Sequence, residues 1–402
     1  MNRSFWQAGH TPTLLSAFLY FDLSFMVWYL LGPMQVQIAE ALQLDTQQRA
    51  LVVAVPILCG RLLRLVLGIL VDRIGAKRTG LLAQALVIAA LLCAWKLGVH
   101  DFRQVLLLGM MLGVAGASFA VALPLASRWY PPEHQGTAMG IAGAGNSGTV
   151  LAALFAPALA AAFGYQAVFG LACIPLALTL LVFTACAKEA PGRVVRKGWA
   201  DYGRVLVGNR DAWWFMFFYA ITFGGFAGFA SALPGYFHDE FGFDPKLAGW
   251  ATAACVLAGA GMRPLGGVVR DRVGGTRTLL AVYLSVALLV AAAGIGIAGP
   301  LGAVSLFVLT LLCLGAGNGA VFQLVPQRFG ADIGVMTGLI GMAGGVGGFL
   351  LAARVGVLKQ QTGGYGLGLW GFACIALLAW GLLRGVTQQW RNQWAALGAA
   401  RV

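Results

Sequence analysis

Charge is what this sequence has least of. Of its 402 residues, 10% are Asp, Glu, Lys or Arg, and only 14 of those are acidic. A soluble chain covers its surface with about 25% charged residues, so a water-soluble globular fold is excluded. Histidine is nearly as rare. The four, His10, His100, His134 and His238, lie at ends or in loops between apolar runs, so no zinc, haem or other cofactor is expected. The seven cysteines, Cys59, Cys93, Cys173, Cys186, Cys255, Cys313 and Cys374, never fall in C-x-x-C spacing. Each sits in or beside an apolar run, which reads as small buried side chains rather than disulfides or metal ligands. No Gly-x-x-x-x-Gly-Lys-Ser/Thr loop occurs, which argues against a nucleotide-driven pump. The opening "MNRSFWQAGHTPT" has no short apolar core with a small-residue cleavage site, so no removable signal peptide is expected. No enzymatic activity is expected either.

What the chain has in abundance is apolar sequence: 59% hydrophobic residues and a mean hydropathy of +0.81. Apolar runs recur at about 12–34, 48–70, 78–98, 104–127, 137–163, 166–187, 212–237, 247–269, 278–298, 301–326, 333–357 and 366–384. They predict an all-α membrane protein with twelve transmembrane helices embedded in a lipid bilayer. The net charge of +13 then reflects basic loops rather than a nucleic-acid partner. Arg73, Lys77, Arg78, Arg128, Arg270, Arg272, Arg277 and Arg328 share one side with both termini. Glu40, Asp45, Asp239, Glu240 and Asp244 fall on the other. Basic loops stay inside, so both termini are expected in the cytoplasm, beneath a bacterial-type inner membrane.

One polar segment interrupts the pattern, "KEAPGRVVRKGWADYGRVLVGNRD" at 188–211. It divides the chain into an N-terminal six-helix bundle (1–187) and a C-terminal one (212–402). The two match at a constant offset of 199 positions. "RLVLGILVDRIGAKR" from Arg64 aligns with "RPLGGVVRDRVGGTR" from Arg263. Asp72 and Arg73 fall on Asp271 and Arg272, Gly68 on Gly267, Tyr20 on Tyr219, and "AGNSG" at 144–148 on "AGGVG" at 343–347. Parallel repeats predict two bundles related by a pseudo-twofold axis along the membrane normal, with a binding site between them. The Asp–Arg pairs and their glycines read as a latch between helices. They are structural loop motifs rather than ligands.

Arg64 and Arg263 lie on the membrane side of those loops. Arginine at a helix centre costs about 2.5–3.5 kcal/mol to insert. Two such costs at equivalent positions suggest one anion held between the halves. A guanidinium matches a small planar oxyanion through two parallel hydrogen bonds. Arg61 has Ala260 as its counterpart and reads as either a second N-half cation or a side chain that snorkels or faces polar backbone. Glycine-rich runs, "GIAGAGNSGTVLAALFAP" (140–157) and "GLIGMAGGVGGFLLA" (338–352), are too rich in glycine for ordinary helix and suit close packing. Asn146 stands in the first run. Asn318 and Gln323 stand in "GAGNGAVFQLVPQRF". Asp22, in "YFDLSFMVW", is the one acid deep inside a span. It is either a structural partner of an arginine or of backbone, or a proton site.

Gly-x-x-x-Asp-Arg-x-Gly-x-x-Arg after the second span, echoed after the eighth, resembles the signature loop of the major facilitator superfamily. Arg64 in "RLLRLVLG", "FYAITFGGFAGF", "GAGMRPLGG", "GAGNGAVFQLVPQRF" and both glycine runs resemble the nitrate/nitrite porter family within it. The resemblance implies a monomeric secondary transporter in which Arg64 and Arg263 grip nitrate or nitrite. It implies that Tyr219, Phe223 and Phe119 line the anion and that Asn146 adds a polar contact. The compact length resembles the nitrate–proton symport branch. Nitrate/nitrite antiport and facilitated passage of another small anion are the alternatives.

Overall fold

The computed structural model describes residues 5–131, 138, 141–191, 199–296, 299–329 and 333–395. Among these, every regular element is a helix. The long ones follow the expected runs: α1 (Thr11–Trp28), α2 (Thr46–Ile74), α3 (Ala76–Leu97), α4 (Phe102–Ser127), α5 (Gly148–Phe163) and α6 (Tyr165–Cys186). The second set is α7 (Arg210–Phe241), α8 (Pro245–Val273), α9 (Gly275–Ile295), α10 (Pro300–Phe329), α11 (Ile333–Thr362) and α12 (Gly366–Ala395). Ten helices among the described residues are long and apolar enough to cross a membrane. Outside that ten are α1, which is 18 residues long and carries Asp22, and α8, whose side chains are only partly described. Leu82, Leu97, Leu178, Leu181, Leu288 and Leu301 stand more than half exposed, an outer surface that suits lipid tails rather than water.

Helix neighbours repeat between the halves. α2 packs on α4 as α8 does on α10, α3 on α6 as α9 on α12, and α1 on α5 as α7 on α11. The halves meet along two seams that are equivalent under the offset, α2 on α11 and α5 on α8.

Three details depart from the expected runs. The first helix stops at Trp28 rather than continuing to 34, and turns cover the interval before a short helix, Gln35–Leu42. Pro33 there has no N–H to carry a helix onward. Helix α4 breaks at Ala117–Ser118, between Gly116 and Phe119, so Phe119 opens a new helical segment inside the bundle. The two glycine runs behave differently. The first enters α5 through a 3₁₀ turn, Ala144–Ser147, whereas the second is continuous α-helix throughout α11. Packing on both α2 and α7 compensates the poor helix propensity of the α11 glycines.

The loop glycines have a conformational reason. Gly75 and Gly274 adopt φ of 93° and 96°, a region that costs L side chains, and each begins the next helix. Asp72 accepts a hydrogen bond from Arg128 at 3.0 Å, tying the end of α2 to the end of α4. Arg128 is thus the partner of Asp72, while Arg73 is exposed. The central segment is not loop throughout, since Trp199–Gly208 is helical.

Candidate functional site

Helices α2 and α11 lie antiparallel, and their contacts advance at helical spacing. Gly356 meets Ala50, Gly348 meets Ile57, Gly345 meets Arg61 and Gly341 meets Arg64. A Cβ at Gly341 would reach Arg64 Nη1 at 2.5 Å, and one at Gly345 would lie inside the stem of Arg61. Arginines three residues apart share one helix face. Here that face is turned onto bare backbone, which gives two bulky cations room in an otherwise tight seam.

Both are buried, Arg61 to 1% exposure and Arg64 to 4%. Arg61 therefore does not snorkel. Its guanidinium carbon lies 4.0 Å from the centre of the Phe223 ring, 4.9 Å from Trp28 and 5.8 Å from Phe25. Trp28 is fixed in turn, its indole N–H donating to the Pro56 carbonyl at 2.6 Å. Arg64 lies 4.3 Å from the centre of the Phe119 ring, the residue exposed by the break in α4. An aromatic face offers a desolvated cation about 2 kcal/mol and leaves its charge in place.

Tyr219 and Phe223 are one turn apart on α7 and stack at 5.3 Å with 20° between planes. Both are buried and press on Gly344, next to the glycine under Arg61. The middle of the molecule thus gathers Arg61 and Arg64 from α2, Phe25 and Trp28 from α1, Phe119 from α4, and Tyr219 and Phe223 from α7. The side chains of Arg263, Asp271 and Arg272 lie outside the described ones.

Asp22 stands apart from this cluster. Its carboxylate accepts a hydrogen bond from Ser147 Oγ at 2.6 Å and another from the Gly148 N–H. It thereby caps the start of α5, where a helix leaves N–H groups without internal partners. Asn146, in the preceding turn, donates to the Gly143 carbonyl at 3.1 Å, so its amide serves its own turn. Asn318 differs. It is 2% exposed, and among the described residues neither its side-chain nitrogen nor its oxygen has a hydrogen-bond partner. Its helix neighbours place it beside α7 and α8: Gly317 meets Thr222, and Gly315 meets Gly259.

A second charged cluster joins the halves at the end of the molecule away from Trp199–Gly208. Asp239 of α7 accepts from Arg49 of α2, from Lys359 of α11 and, at 2.7 Å, from the Tyr365 hydroxyl. Nearby, Gln35 donates to the Ser231 carbonyl at 2.8 Å and Gln360 accepts from the Gln47 N–H at 3.0 Å. Burial, and then the Asp239 charge, hold the Tyr365 phenol well above its usual pKa, so it remains a donor. Sequence reading left the role of Arg61 open and did not pair Arg49 with Asp239. The i, i+3 spacing of Arg61 and Arg64 was the available signal for the first. Nothing local in sequence links residues 49, 239, 359 and 365.

Fold and repeat together define a two-bundle membrane transporter. Residues 17–352 match the Major Facilitator Superfamily, and the chain belongs to it. A solved structure of a bacterial homolog of the human lysosomal transporter Spinster, in an inward-facing and occupied conformation, superimposes with a TM-score of 0.70. At 16% identity, over 96% of this chain and 98% of that one, it speaks for the fold alone. Within the superfamily the chain belongs to the nitrate/nitrite porter family. It is 33% identical to the probable nitrate/nitrite transporter NarK2 of Mycobacterium tuberculosis (strain CDC 1551 / Oshkosh), covering 92% of this chain and 95% of that protein. It is 31% identical to the nitrite extrusion protein of Bacillus subtilis (strain 168), over 89% and 90% of the two chains. It is 29% identical to the probable nitrate/nitrite antiporter NarK1 of Thermus thermophilus, over 86% and 84%.

Proposed function

We propose that this chain is a monomeric secondary active transporter of nitrate, and of nitrite, in a bacterial-type inner membrane with both termini in the cytoplasm. Its relatives' names supply the substrate class. Arg64 carries the reading at the level of chemistry: a cation 4% exposed, set on a ring face inside a membrane helix and against the glycine backbone of the opposite half. Arg64 from one half and Arg263 from the other grip the anion. A flat guanidinium offers a planar oxyanion two parallel hydrogen bonds, which a lysine cannot. Phe119, Tyr219 and Phe223 form the flat walls, and the buried amide of Asn318 supplies a hydrogen bond. Asn146 contributes by shaping the turn before α5. Rocking of the halves along the α2–α11 and α5–α8 seams exposes the anion to each side in turn.

Uptake is coupled to a proton, and Asp22 carries it. An anion seated between the arginines offsets their charge and makes a proton on Asp22 easier to accommodate. Each then favours the other's binding, as reciprocity between sites requires. A second reading is nitrate/nitrite exchange, favoured by the name of the Thermus relative, a probable nitrate/nitrite antiporter. Uptake into proteoliposomes, with a panel of nitrate, nitrite, formate, sulfate and phosphate, tests the substrate. Preference for any of the last three would sink the proposal. Asp22→Asn separates the two mechanisms. Under symport the variant still exchanges nitrate but no longer accumulates it along a pH gradient. If accumulation is intact, Asp22 is only the cap of α5.

A further inference from the structure

We infer that Arg61 is a third cation of the anion site: a positioning residue that fixes Phe223 as one wall and adds its charge to the clamp. The inference rests on the middle of the α2–α11 seam being the anion site.

Three observations carry it. First, Arg61 is the more deeply buried of the two α2 arginines, at 1% exposure, and its guanidinium is the closest cation to a ring there, 4.0 Å from the centre of Phe223. Phe223 comes from the other half of the molecule, so this contact crosses the seam. Second, the ring it holds is stacked on Tyr219, so one cation orients a wall of two rings. Third, the repeat is broken here in a complementary way. Under the 199-residue offset Arg61 corresponds to Ala260 and Gly345 to Asn146. At the α2–α11 seam a large cation faces a glycine. The corresponding positions of the repeat, on α8 and in the turn before α5, carry an alanine and an asparagine. Volume has been exchanged across the pair, while charge has been added on one side only. A packing role alone would be met by either arrangement. A third positive charge beside the aromatic wall is what distinguishes the first.

The consequence is a division of labour on α2. Arg64 contacts the anion, whereas Arg61 acts through Phe223 and through its field. Loss of Arg61 should therefore weaken substrate binding more than turnover. Nitrate uptake into proteoliposomes, normalised to folded protein, reads this out. Arg61→Met should raise the nitrate KM about tenfold, the scale of one desolvated cation–ring contact, with maximal rate changed less than about twofold. Arg61→Lys, which keeps the charge but not the plane, should recover part of that loss. Phe223→Leu should also raise KM, and the double variant Arg61→Met/Phe223→Leu should be no worse than the worse single one. If Arg61→Met folds poorly, the double variant Arg61→Ala/Gly345→Asn restores the volume by copying the other seam, and its KM should rise equally. An unchanged KM in the variants would overturn the inference and leave the clamp standing. Additive losses in the Arg61–Phe223 pair would overturn the positioning role. A parent protein that takes up no nitrate would overturn both this inference and the reading it rests on.

Discussion

Helices α2 and α11 bring cations to their seam twice, and the two places treat them in opposite ways. At the far end, Arg49 and Lys359 converge on the Asp239 carboxylate, with the Tyr365 hydroxyl completing its shell. In the middle, Arg61 and Arg64 are set on the faces of Phe223 and Phe119 and against the glycine backbone of α11. A carboxylate cancels a cation's charge and fixes its geometry. A ring face steadies the cation while leaving its field in place. The first arrangement suits a joint that must hold the halves together and let go as a unit. The second suits a site through which an external anion passes. Distance along a single helix, about four turns between Arg49 and Arg64, separates the ion-paired cluster from the proposed substrate site.

The largest effect should come from breaking the middle. Arg64→Lys keeps the charge but removes the fork. Nitrate uptake should fall on the order of a hundredfold, the worth of one or two charge-assisted hydrogen bonds, with no loss of folded protein. Near-normal uptake would mean that the middle reads charge alone, and the contrast with the far end would lose its geometric half.

Most of this contrast was only half legible beforehand. Apolar runs and the repeat were enough for the helices, since a bilayer forces every apolar span of sufficient length into helix. Arg64 stood out because insertion of a cation needs a reason, and its family signature supplied one. The role of Arg61 stayed open, because burial against Gly345 depends on how α11 meets α2, some 280 residues away in sequence. The break at Ala117–Ser118, which brings Phe119 to Arg64, lies well before the run's proline, Pro124, and no proline marks it, so the run reads as continuous helix across it. The far-end latch was invisible for the same reason: Arg49, Asp239, Lys359 and Tyr365 come from three helices and a turn. Asp22 was read as a partner of an arginine or of backbone, or as a proton site. The structure supplies the backbone contact at α5.

Loosening the far end should have a smaller effect on binding and a larger one on shape. Asp239→Asn leaves Arg49 and Lys359 beside each other without their shared carboxylate, at a cost of about 2 kcal/mol to the closed arrangement. Each of these side chains is only about one-seventh exposed, 14–15%, so solvent screening compensates little. The far end should then open more often. A cysteine placed at Val53, which is 3% exposed in the closed seam, should react with an impermeant thiol reagent roughly thirtyfold faster in the Asp239→Asn background. Nitrate KM should stay within about threefold of the parent. Unchanged labelling would show that the seam is held by α2–α11 packing, not by its charges.

The finest cut is Tyr365→Phe. It removes one donor from Asp239, the 2.7 Å hydroxyl, and leaves both cations in place. If the far end is held by charge, the loss should be about 1 kcal/mol, and labelling at the Val53 position should rise less than about fivefold. The pH dependence sharpens the test. The folded phenol titrates above its unfolded value of about 10, because burial and then Asp239 disfavour the phenolate. Its contribution is therefore fully present at any pH below that value and is lost only as pH climbs past it. The difference between Tyr365→Phe and the parent should stay constant from about pH 5 to pH 9. A difference that changes within that window would place the proton on another member of the cluster, and the far end would then be a titrating gate rather than a latch of fixed charges.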